Sequence, residues 1–101
     1  MSKHYVIQAR VEEDSTERKS LGTREYILSS LASYNTMPEK EGDDMLWGPG
    51  IRIELPPTEG DVQQMLLHFV EDELAWDILP RLAKQFDWSV TDIETGREWK
   101  P

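Results

Sequence analysis

Few residues in this chain could do chemistry, and the best placed are His68 and Asp72. Read as part of one helix, they stand at i and i+4 and share a face, so the carboxylate could orient the imidazole. With Glu71 and Glu73 flanking them, this is a general-base arrangement. The same spacing also describes an exposed polar stripe opposite an apolar face centred on Leu66. No serine nucleophile elbow or set of oxyanion donors accompanies the histidine, so the polar stripe is the favoured reading. His4 belongs to no motif and reads as a surface histidine.

Other chemistries fail on residue type. The chain has no cysteine, which excludes disulfides, thiolate metal ligands and Cys nucleophiles. Two isolated histidines do not make a zinc site. The acidic runs Glu12–Asp14 and Glu39–Asp44 lack the alternating ligands of a calcium loop. Gly48-Pro49-Gly50 lacks the lysine and helix start of a phosphate loop. No metal and no cofactor is expected, and a non-enzymatic role is favoured over an enzyme.

Charge narrows the partners. Twenty acids against 11 bases leave a net charge of −9, which repels phosphate backbones and anionic lipids. Neither nucleic acid nor membrane is an expected partner, whereas a basic protein is permitted. The apolar core of the N-terminus is too short for a signal peptide, and no run reaches the length of a membrane span. A cytoplasmic setting is the expectation.

The strongest candidates for partner binding are large apolar residues outside the regular core pattern: Met45, Leu46, Trp47 and Trp76. Trp47, followed by Gly-Pro-Gly, is the best single anchor, because Trp is enriched among interface hot spots. The alternative is that Trp47 caps a sheet edge of its own chain.

These residues need elements to position them. The 101 residues suit a single domain, 1–101, with a long irregular loop at 35–50. Such a chain buries roughly 65% of its unfolded surface, so one core is expected. Tyr5, Ile7, Ala9 and Val11 alternate with polar residues and predict a strand. Residues 12–19 carry no apolar side chain and read as a solvated turn. Ile27, Leu31 and Tyr34 predict a helix within Leu21–Tyr34, with Thr23 as N-cap and Asn35 as its stop; a strand is the alternative. Ile51, Ile53 and Leu55 alternate as a strand that ends at Pro56-Pro57.

Gly60 to Trp88 is the densest apolar stretch. Val62, Met65, Leu66, Phe69 and Val70 fall on one helical face, which predicts a helix from Asp61 to Trp76. Leu74, Ile78, Leu82 and Phe86 form a second stripe on another face. A bend near Pro80, with Asp77 as a new N-cap, reconciles the two. One face would cover the sheet, and the other would meet the Met45–Trp47 loop or a second chain. Trp88 and Val90 then predict a strand, Asp92–Gly96 a turn, and Arg97–Trp99 its antiparallel return.

The expected architecture is α+β, in two layers: a small mixed sheet of about four strands with two main helices on one face, in the order β-α-β-α-β-β. The expected function is a non-enzymatic protein-interaction or self-assembly module, most simply a homodimer. The alternative is an acidic inhibitor or immunity-like protein that binds a basic partner. The third reading is a small enzyme using His68 with a neighbouring carboxylate.

Overall fold

Alternation builds the sheet. In β1 (His4–Ala9), Tyr5 and Ile7 are buried while His4, Val6 and Gln8 point the other way. The computed structural model describes residues 3–10, 20–57 and 60–99, so Val11 and the predicted turn over 12–19 lie outside the described residues. The chain continues through β2 (Gly22–Thr23), α1 (Arg24–Ala32), β3 (Met37–Pro38), β4 (Met45–Gly48), β5 (Ile51–Glu54), β6 (Asp61–Val62), β7 (Gln64–Phe69), α2 (Asp72–Phe86), β8 (Trp88–Asp92) and β9 (Glu98–Trp99). Seven of these strands form one sheet in the order β3-β4-β5-β7-β1-β8-β9, and β2 pairs with β6 separately. Every pairing among the described strands is antiparallel. The class is α+β with two helices; the sheet is wider than the four strands expected, and it is antiparallel rather than mixed.

The extra strands come from two stretches. The first half of the Gly60–Trp88 segment is not helix. Gln64–Phe69 is β7, held between β5 and β1 at the centre of the sheet, with Met65, Leu67 and Phe69 buried. The run Met65-Leu66-Leu67 satisfies both the helical and the alternating period, and pairing on both edges decides for the strand. The predicted loop at 35–50 holds β3 and β4. Leu46 is fully buried, and Pro49 and Gly50 make a two-residue connection between β4 and β5. Gly50 has φ of 70°, the positive value that follows proline in a type II turn.

α2 begins at Asp72 and runs through Pro80 as one helix, so the chain does not restart with Asp77 as N-cap. Leu79, Leu82 and Ala83, beside and beyond the proline, are fully buried, and that packing outweighs the one ladder bond Pro80 cannot donate. The buried stripe is Ala75, Leu79, Leu82 and Ala83: Leu82 of the expected stripe together with the residues Ala75, Leu79 and Ala83 that flank it in the sequence. Asp72 and Glu73 occupy its first turn and Lys84 its last, both favourable to the helix dipole. In α1, Thr23 is the N-cap, and its Oγ1 accepts from the Tyr26 N–H at 3.1 Å. Asn35, just past this helix, turns into the left-handed region with φ of 58°.

Ile27 and Leu31 of α1 and the α2 stripe join the inward residues of β1, β4, β5, β7 and β8 in one hydrophobic cluster. No described helix is long and apolar enough to cross a membrane.

Candidate functional site

The outward side of the sheet is where the candidate residues gather. Strand register sets two rows straight across β4, β5, β7 and β1. The first is Trp47, Arg52, His68 and His4; the second is Met45, Glu54, Leu66 and Val6. Met37 of β3 extends the first row, opposite Trp47. All of these side chains face away from the buried cluster, because their neighbours at i±1 are the ones buried in the core.

Trp47 is 39% exposed and Met37 45%. The Arg52 guanidinium lies 5.7 Å from the centre of the Trp47 ring, a cation–π contact. The rings of His4 and His68 meet edge to face at 4.4 Å. Among the described residues, neither ring nitrogen of His68 has a hydrogen-bond partner, and neither does Nε of Arg52. Burial lowers the pKa of His68; His4 and Arg52 push the same way, and Glu54 opposes them. The Glu54 carboxylate is 3.9 Å from Nε2, beyond hydrogen-bond reach, so it does not reverse the effect of burial.

His68 and Asp72 are not brought together. Asp72 opens α2 and pairs with Lys3 at 3.3 Å, while His68 stands on β7. The i, i+4 relation needed a helix through both, and the chain leaves the strand between them. Three cavities among the described residues are lined by neither His68 nor Asp72. The largest, about 660 Å³, lies at the start of α1. Its Arg24 is already committed: to Asp44 Oδ1 at 2.5 Å, the Asp43 carbonyl at 3.2 Å and the Pro56 carbonyl at 3.4 Å. A recess of about 150 Å³ borders the outward face and is lined in part by Glu54, Gln64 and Leu66.

The partner-binding candidates divide. Met45 and Trp47 are on the outward face, whereas Leu46 points into the core. Trp76 belongs to an aromatic group around the edge of α2, 4.9 Å from Phe69 and 5.7 Å from Trp99, with Lys3 above it at 5.4 Å. The acidic runs have local roles: Asp44 holds Arg24, and Glu71–Glu73 start α2. Glu12–Asp14 lies outside the described residues. Sequence reasoning missed Arg52, Glu54, Val6, Leu66 and His4 as one surface. The signal was the alternation of β1 and β5, but the row they share depends on β7 being a strand. No protein-family model matches this chain, and no match is found among curated proteins or solved structures.

Proposed function

We propose that this chain is a non-enzymatic protein-interaction module that docks through the sheet face turned away from its buried cluster. One observation carries the reading: the outward face places Met37, Met45 and Trp47 on β3 and β4 and Leu66 and Val6 on β7 and β1, with Arg52 and Glu54 of β5 between the two groups. An antiparallel sheet with one solvated face ordinarily alternates apolar inward with polar outward. Exposed large apolar side chains such as Met37 and Trp47 on one face mark a candidate interaction surface. Only Arg52 and Glu54 carry a full charge among the outward residues of β4, β5, β7 and β1, in a chain of net charge −9. A low share of charged residues is part of the compositional mark of a protein interface, and here the two charges stand together on β5 with apolar side chains on either side.

A photo-crosslinking residue introduced in place of Trp47 tests the reading in the organism's own cytosol, with Glu73 on the helix side as control. Crosslinks to a protein, another copy included, are expected from position 47 and not from 73. Equal or absent crosslinking from the two positions removes the proposed face.

A further inference from the structure

The occupant can be named from the charges on this face. We infer that two copies of the chain pack these faces together about a two-fold axis, which lies in the interface and crosses the strands midway between the two rows. The inference rests on the docking reading above.

A two-fold axis in that position keeps each strand opposite its own copy and exchanges the rows. Arg52 then faces the second copy's Glu54, and Glu54 faces its Arg52. Trp47 meets Met45, His68 meets Leu66, and His4 meets Val6. Each full charge finds its opposite, and each aromatic ring an apolar side chain. Axes along the strands do not achieve this. One running over β5 sets Arg52 against Arg52. One running between β5 and β7 sets Arg52 against His68, which burial already holds uncharged, and leaves Glu54 against Leu66.

Charge complementarity therefore selects a single arrangement. The acid surplus of the chain does not oppose it, because Glu54 is the only acid on the outward side of these four strands. Facing sheets cross at roughly 30°, which keeps residues near the axis opposed and splays the outer strands. Four strands span about 19 Å, a small interface, so micromolar self-affinity is expected rather than an obligate dimer.

Sedimentation equilibrium of the full chain and two charge reversals tests the geometry. Wild type is expected to dimerise. Arg52→Glu and Glu54→Arg should each weaken self-association by about tenfold or more, since each sets like charges against each other twice. An equimolar mixture of the two variants should recover the affinity as a heterodimer, because the acidic face of one then meets the basic face of the other. Recovery on mixing cannot come from contacts within one chain. Circular dichroism checks that both variants fold. If either does not, the surface pair Met45→Lys and Trp47→Glu, which also face across this axis, serves in the same mixing design. A wild-type dimer whose variants do not recover on mixing overturns the arrangement. A wild type that stays monomeric to about 500 µM overturns self-pairing. In that case crosslinks from position 47 to a different protein leave the docking reading standing, and their absence removes both.

Discussion

His68 is held in its uncharged form by its surroundings. Burial lowers its pKa, and the neighbouring His4 and Arg52 act in the same direction against Glu54. The folded chain therefore takes up this proton at lower pH than the unfolded chain does. Its contribution to stability is complete above the ordinary histidine value of about 6.5 and is lost as the pH falls from there through the lowered value. Urea midpoints measured from about pH 8 down to 5 should fall below about 6.5, and His68→Gln should flatten that part of the curve. An unchanged profile in the variant would refute the assignment. Arg24 is a second residue whose role is legible only in three dimensions, since it ties α1 to Asp43, Asp44 and Pro56. With the Arg24 side chain 22% exposed and that of Asp44 45%, solvent weakens the pair, and Arg24→Ala should cost about 1–2 kcal/mol in chemical denaturation. Neither role follows from residue type. Arg24 and Asp44 are twenty positions apart, and nothing in their spacing joins them.

At the scale of elements, α1 and the later part of α2 were legible, and the centre of the sheet was not. α1 shows its period through Ile27 and Leu31 and its cap through Thr23, all local signals. Thr23→Ala should cost about 1 kcal/mol, seen as a lower thermal midpoint. α2 shows a stripe as well, but which residues lie at its centre depends on the surface it covers; Ala75, Leu79, Leu82 and Ala83 are fully enclosed. Leu79→Ala should cost about 2–5 kcal/mol. β7 was misread because Met65-Leu66-Leu67 fits two periods, and only its neighbours β5 and β1 choose between them. The β4–β5 turn shows how sequence and packing combine. Pro49-Gly50 announces a turn, yet a Cβ on Gly50 would sit 2.7 Å from both the Ala75 nitrogen and the Glu71 oxygen. Gly50 also accepts from the N–H groups of Val70 and Glu71 at 2.8 and 3.0 Å, so this turn seats the start of α2. Gly50→Ala combines a positive φ with a backbone clash, and a loss of at least about 2 kcal/mol is expected by denaturant titration.

The whole molecule presents one sheet with two unlike sides. Its inner side and both helices close a single cluster, while its outer side collects Trp47, Arg52, His68, His4 and their neighbours. If two copies pair through that outer side, the thermal midpoint should rise with protein concentration over the range in which dimer forms, as mass action requires. A midpoint independent of concentration, in a sample shown to dimerise, would place the contact where it adds nothing to folding. By itself, the sequence determined the class, the helix α1, the later part of α2, the strands β1, β5 and β8, and the turn before β9, because periodicity, caps and turn residues are written within a few positions of one another. The tertiary structure alone decided that Gln64–Phe69 is a strand. That decision carried His68 away from Asp72 and set it beside His4, Arg52 and Glu54. The physical reason is that a strand is completed by partners distant in the chain, so the face it presents, and the residues that share it, come into being only when the sheet closes.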